Sequence, residues 1–319
     1  MKIVICCPSA KEATRWVELV QEKLLLIGLP AQVKALQKDC DTMPEADYAI
    51  GWRPHPQFFA NHPRLKAFFN MGAGLDYFFD NPAMVGRVPD HVPIIRLEDA
   101  GMAQQMTDYC RHQVLEWMYD FARYRDQQAR HEWRGWRERY ALDRSQMPVG
   151  VLGLGKLGSS VARAFANDGF KVTGFATTPK VIEGVQFEGQ LERFMAASKV
   201  LIVLAPATPL TRHIVRAETL AMMPRSSYVI NLARGALVNE SELVSALDSG
   251  QLAGACLDVF ETEPLPVDSP FWSHPKAIVT PHSSAPTLMR PAADQILSKL
   301  QKMLSFAVVS GNADRSKGY

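Results

Sequence analysis

Val149-Gly-Val-Leu-Gly153-Leu-Gly155-Lys-Leu-Gly158 is the stretch that decides the fold. Residues 149–152 form a short apolar run, the signature of a buried strand. The glycines follow in the pattern Gly-x-Gly-x-x-Gly and open a helix that runs through Ala166 to a stop at Gly169. Each glycine has a reason. The first allows the tight turn, the second allows a pyrophosphate to approach, and the third lets the helix pack closely. The helix N-terminus adds free N–H donors and the positive end of a dipole. A dinucleotide-binding unit is therefore expected here.

Outward from this stretch the chain alternates. Residues 171–175, 200–204, 228–231, 255–259 and 278–280 read as further short strands. Asn239 is placed to cap a helix between two of them and Gly250 to end it. Six strands with crossover helices match a doubly wound parallel sheet. Upstream, 2–7, 31–36, 46–51, 65–70 and 93–97 also read as strands, and 11–27 as a helix stopped by Gly28. From Met102 a long helix is predicted, with Met106, Cys110, Val114, Trp117 and Phe121 on one stripe. It gives way to an excursion at His131-Glu-Trp133-Arg-Gly-Trp136. The last helix, 290–306, is expected to return to the first domain. The predicted class is α/β, with a Rossmann-type domain (101–282) inserted into a flavodoxin-like one (1–100 and 283–319).

Composition narrows the function. The chain has 319 residues, 47% hydrophobic and 21% charged, which suits two globular domains. With 35 Lys and Arg against 33 Asp and Glu, the charge is +2 and gives no overall pull toward nucleic acid or an anionic membrane. No apolar run approaches the ~20 residues of a membrane span, and the N-terminal apolar run is short for a signal peptide. Five scattered cysteines without metal spacing read as reduced thiols, so a cytoplasmic protein is expected.

Candidate chemistry lies after the later strands. Asn231-Leu-Ala-Arg234-Gly, Leu257-Asp258-Val-Phe-Glu261-Thr-Glu263 and Pro281-His282-Ser-Ser follow successive strands at their carboxyl ends, where doubly wound sheets bind ligands. Together Arg234, Glu263 and His282 offer an anion binder, a proton donor and its carboxylate partner. After the second strand of this domain the chain reads Phe175-Ala-Thr177-Thr178-Pro-Lys180, with no acid before Glu183. An acid there would hold a ribose hydroxyl and repel a 2′-phosphate; hydroxyls and an ammonium accept one. NADPH is the expected cofactor, with NADH as the alternative.

These segments resemble the D-isomer-specific 2-hydroxyacid dehydrogenase family over nearly the whole chain. Within it the chain is most similar to the glyoxylate/hydroxypyruvate reductase A type. Asn70-Met-Gly-Ala-Gly-Leu-Asp76, Arg96-Leu-Glu-Asp-Ala-Gly-Met102, Ala246-Leu-Asp-Ser-Gly250 and the terminal Gly318-Tyr319 support this. The resemblance implies NAD(P)H-dependent reduction of a small 2-oxo acid, glyoxylate or hydroxypyruvate. Arg234 would hold the carboxylate and polarise the keto oxygen, a two-point task suited to a guanidinium. His282 would donate the proton, and Glu263 would orient the ring and favour its charged form. Gly72, Ala73 and Gly74 would present backbone N–H groups to the carboxylate, and Trp52 would narrow the pocket. Lys156, Leu157, Pro206 and Ala233 would join the glycines around the cofactor, and Asp258 would hold the nicotinamide carboxamide. No metal is expected, because Arg234 and His282 supply the electrophilic stabilisation. A homodimer is implied, with Trp133 or Trp136 reaching the neighbouring subunit. The sequence departs from relatives at Ser283, in the length of 286–290, and in lacking an arginine pair near the 2′-phosphate loop. Two other readings fit the same fold: a dehydrogenase for a bulkier acid, and a nucleotide-sensing, corepressor-like binding protein.

Overall fold

The computed structural model describes residues 1–36, 45–134 and 143–315. Cys40, Trp136 and the Gly318-Tyr319 end lie outside the described residues. The chain forms two compact units. One comprises Met1–Gly101 with Thr287–Tyr319, the other Met102–Pro286.

The first unit is built on five parallel strands: β1 (Lys2–Cys6), β2 (Gln32–Ala35), β3 (Tyr48–Gly51), β4 (Ala67–Asn70) and β5 (Ile94–Ile95). Their order is β2-β1-β3-β4-β5, the flavodoxin-like arrangement. Strands β3 and β4 are buried along their whole length, as expected of a sheet covered on both faces. Ser9 caps the Ala10–Leu26 helix by accepting from the Glu12 N–H. That helix buries Ala13, Trp16, Val20 and Leu24 at helical spacing. The Met289–Leu304 helix packs against it, with Lys23 and Asp294 paired across the contact and Ala292, Ile296 and Leu300 in the core. Phe58, Phe59, Phe68 and Phe78 pack edge to face or tilted beneath the sheet. Burying each such ring contributes roughly 1.5–3 kcal/mol relative to exposure.

The second unit has seven parallel strands: β6 (Val149–Leu152), β7 (Val172–Phe175), β8 (Val185–Glu188), β9 (Val200–Val203), β10 (Ser227–Asn231), β11 (Leu252–Leu257) and β12 (Ala277–Val279). Their order is β12-β11-β10-β9-β6-β7-β8. This is the doubly wound dinucleotide arrangement, with its switch point between β6 and β9. Alternate residues face opposite sides. Val149, Val151, Val200, Ile202 and Ile230 meet Val161, Phe165, Cys110 and Val114 on one face. Leu152, Leu201, Val203 and Val229 meet Phe194, Leu220, Leu243 and Leu247 on the other.

Three sequence expectations change. Among the described residues the unit has seven strands rather than six. β8 carries Gln186 and Glu188 and has no fully buried residue, so its apolar signal is weak. The long helix ends at Tyr119, because Asp120 adopts φ 54° and a separate helix, Phe121–Ala129, begins. Phe121 therefore leaves the buried stripe and is exposed. Trp133 is 100% exposed in the single chain. Among the described residues no helix is long and apolar enough to cross a membrane. Cys6, Cys7, Cys110 and Cys256 are free thiols.

Candidate active site

Because every strand of the second unit is parallel, all the carboxyl ends lie along one edge. The predicted residues of this unit follow those ends. Gly153 to Gly158 follow β6, Thr177 to Lys180 follow β7, and Pro206 follows β9. Ala233 and Arg234 follow β10, Asp258 and Glu263 follow β11, and His282 follows β12.

The three glycines of the β6 loop differ as their roles demand. Gly153 has φ +103°, and a Cβ there would lie 2.5 Å from the Ala205 backbone. A Cβ on Gly158 would lie 1.8 Å from the Gly153 carbonyl oxygen, so the helix sits directly against the turn. Gly155 faces open space. Among the described residues, the backbone N–H groups of 154–158 donate to no protein acceptor. Five donors at a helix start with room in front of the middle glycine fit a pyrophosphate. Lys156 is exposed there and Leu157 half-buried. Lys180 Nζ donates to the Leu154 carbonyl at 2.5 Å, which holds its ammonium against the same loop. Thr177 and Thr178 are exposed beside it. Pro206 is exposed, and its carbonyl accepts from the Thr211 hydroxyl at 2.7 Å.

The β10 loop is shaped by Asn231, a fully buried residue that the sequence reading had not placed in the site. Its amide donates to the Arg234 carbonyl at 2.9 Å, and its oxygen accepts from the Ala233 N–H at 3.1 Å. Ala233 is buried, and its carbonyl accepts from Arg234 Nη1 at 2.6 Å, which fixes the guanidinium near the strand end. Gly235 is also obligatory, since a Cβ there would lie 1.9 Å from the Phe260 carbonyl carbon. The two loops are therefore interlocked at their backbones.

His282 and Glu263 meet directly. His282 Nδ1 lies 2.9 Å from Glu263 Oε2, and the Phe260 N–H donates to Glu263 Oε1 at 3.1 Å. Burial pushes the Glu263 carboxyl up, but the hydrogen bonds from His282 and Phe260 and the charges of His282 and Arg234 outweigh it. The carboxyl ends below its ordinary range. The other ring nitrogen of His282 makes no hydrogen bond to a described residue, and the side chain is 45% exposed. His282 sits at φ 52°, a conformation that a β-carbon disfavours. Asp258 holds it there. The Asp258 carbonyl accepts from the His282 N–H at 2.8 Å. Its buried carboxylate accepts from Ser283 N at 2.8 Å, Ser284 N at 2.9 Å and Thr280 Oγ1 at 2.6 Å.

The remaining predicted residues lie in the first unit. A Cβ on Gly72 would lie 2.3 Å from the Trp52 ring, so the indole can rest there only over a glycine. Asn70, buried at the end of β4, donates to the Gly72 carbonyl at 3.0 Å and the Gly74 carbonyl at 2.9 Å. With both carbonyls tied back, the N–H groups of Gly72, Ala73 and Gly74 donate to no described residue. This turn can take a carboxylate.

Comparison with known proteins agrees with this geometry. The family model described as D-isomer specific 2-hydroxyacid dehydrogenase, NAD binding domain, matches residues 112–284. The glyoxylate/hydroxypyruvate reductase A of Serratia proteamaculans (strain 568) is 43% identical over 296 residues, 91% of this chain and 92% of that protein. A D-isomer specific 2-hydroxyacid dehydrogenase from Xanthobacter autotrophicus Py2, solved with NADPH and MES, superposes with a TM-score of 0.88 at 35% identity over 99% of both chains. The NADPH-dependent glyoxylate/hydroxypyruvate reductase of Sinorhizobium meliloti, solved with NADP and sulfate, superposes with a TM-score of 0.88 at 31% identity, covering 100% of this chain and 99% of that one. On its sequence, its two parallel sheets and these matches, the chain belongs to the D-isomer specific 2-hydroxyacid dehydrogenase family.

Proposed function

We propose that this protein reduces small 2-oxo acids, glyoxylate or hydroxypyruvate, to the 2-hydroxy acids with NADPH. The observation that carries the reading is the His282–Glu263 pair beside Arg234, on the edge that also bears the Gly153–Gly158 loop. Residues 154–158, Lys156 and Leu157 included, would hold the pyrophosphate, with Pro206 and Ala233 against the rest of the cofactor. Asp258, buried with three protein donors on its carboxylate, would hold the nicotinamide carboxamide. Bound NADPH supplies the hydride to the keto carbon. Arg234 holds the substrate carboxylate and draws charge onto the keto oxygen. His282, fixed through Nδ1 by Glu263, gives that oxygen a proton from its other nitrogen. The first unit, by this reading the substrate domain, carries its own candidate carboxylate turn in the N–H groups of Gly72, Ala73 and Gly74, with the Trp52 ring against Gly72. The test is to compare kcat/KM for glyoxylate and hydroxypyruvate with that for phenylpyruvate. The two small acids are expected to lead; preference for the aromatic acid would overturn the substrate assignment.

The NADPH preference rests on the 176–180 loop. It presents Thr177 and Thr178 and holds the Lys180 ammonium at the glycine turn, with no acid among them. The similar structures from Xanthobacter and Sinorhizobium hold NADPH and NADP. Thr177→Asp is expected to turn the preference toward NADH, because the new carboxylate repels a 2′-phosphate. Steady-state kinetics with both cofactors checks this, and a wild type that already prefers NADH contradicts it.

The active form in this reading is a cytoplasmic homodimer. Trp133 is a large apolar side chain wholly exposed in the single chain, and aromatic residues are enriched at protein–protein interfaces. Sedimentation is expected to give a dimer at micromolar concentration, with Trp133→Ala shifting it toward monomer. A monomeric wild type contradicts the assembly.

A further inference from the structure

Behind the turn that carries His282 runs a chain of four side chains from three separate segments: the Met102–Tyr119 helix, the end of β11 and the end of β12. Cys256 Sγ lies 3.1 Å from the Tyr109 hydroxyl, which lies 2.6 Å from Thr280 Oγ1, which lies 2.6 Å from Asp258 Oδ1. Proton counting gives the chain one direction. The Asp258 carboxylate only accepts, so the Thr280 hydroxyl must spend its proton on it. The Tyr109–Thr280 contact then requires the Tyr109 proton, and the Cys256 contact requires the thiol proton. The groups are in the states this needs. Burial, with a smaller push from the Asp258 charge, raises the Cys256 thiol to about 12. Burial also raises the Tyr109 phenol well above its ordinary range. Both therefore keep their protons at neutral pH.

We propose that Tyr109 is a positioning residue for His282. By donating to Thr280 it commits the Thr280 hydroxyl to Asp258, and Asp258 clamps the 282–284 turn. Without the phenol, Thr280 is free to turn away and Asp258 loses one of its three carboxylate donors. The turn then opens more readily from the φ 52° conformation that Asp258 imposes on His282. The inference rests on the reading of His282 as the proton donor. Neither Tyr109 nor Cys256 need touch substrate.

The test compares Tyr109→Phe, Thr280→Val and Thr280→Ser with wild type, by steady-state kinetics with NADPH and glyoxylate and by amide hydrogen exchange. A single net hydrogen bond sets the scale, so Tyr109→Phe should lower kcat about three- to tenfold with the KM for glyoxylate unchanged. Exchange at Ser283 and Ser284 should quicken by a similar factor. Thr280→Val should behave alike, and Thr280→Ser, which restores the hydroxyl, should recover most of the loss. Unchanged kcat and exchange in Tyr109→Phe would overturn the proposal, as would a Thr280→Ser as impaired as Thr280→Val. Should Tyr109→Phe fail to fold, the Thr280 pair makes the same decision. A wild type that binds NADPH without reducing any acid would sink the proposed function, while the exchange comparison would still decide the clamp.

Discussion

His282→Ala is expected to lower reductive kcat/KM by ~10²–10⁴-fold, the usual scale of a lost general acid, while NADPH still binds. The geometry explains both halves. Nδ1 lies 2.9 Å from Glu263 Oε2 and the other ring nitrogen bonds to no described residue, which leaves that nitrogen available for the proposed proton transfer. The N–H groups proposed to hold the cofactor, those of 154–158, lie after β6, separate from the ring. Glu263 sharpens the expectation with respect to pH. Its carboxyl lies below the ordinary range, so it is ionised throughout the neutral region beside the imidazole. A fixed negative charge favours the protonated form of its neighbour. Reduction consumes a proton and oxidation releases one, so the reductive rate should fall as pH rises, while oxidation of the hydroxy acid should improve. Glu263→Gln removes the charge and keeps much of the shape, so the alkaline limb for reduction should move to lower pH. Profiles of both proteins at saturating NADPH make the comparison; an unmoved limb contradicts the pair.

Arg234→Lys should cost at least ~2.7 kcal/mol in transition-state stabilisation, about a hundredfold in kcat/KM, on the scale of removing one oxyanion donor. The charge survives but the planar fork does not. In the structure Arg234 spends one guanidinium N–H on the Ala233 carbonyl, which sets the plane of the group. An ammonium that spends one of its three donors there keeps two, but has no planar fork to align them on a carboxylate and a keto oxygen. Steady-state kinetics with glyoxylate checks the loss, and fluorescence titration should find NADPH affinity little changed. An unimpaired variant would mean that another residue anchors the acid.

The legible part of this molecule was whatever repeats or is local. Val149 to Gly158 declares strand, turn and helix in ten residues, and the structure places each glycine where its missing Cβ matters or leaves a cradle. Apolar runs located β6 and β9 because both are buried on two faces. β8 was missed because an edge strand with no fully buried residue has no such run. The break at Asp120 was missed because the apolar stripe continues past it while the backbone does not. Asn70 and Asn231 play one part twice, each ending a strand and tying back the carbonyls of the loop that follows. An asparagine in the last strand position before a glycine-bearing turn was the available signal. Gly235 and the Tyr109 chain had none. Their partners are 25, 147 and 171 residues away, and such contacts exist only once the strands are aligned.

Hydride transfer from NADPH to a small 2-oxo acid is the activity proposed for the Arg234, Glu263 and His282 site. The direct measurement is the stoichiometry of NADPH consumed to glycolate formed when the purified protein is given glyoxylate. The expected result is one-to-one turnover that His282→Ala nearly abolishes. NADPH that binds and stays reduced in the presence of glyoxylate and hydroxypyruvate alike would mean that the site does not catalyse this transfer.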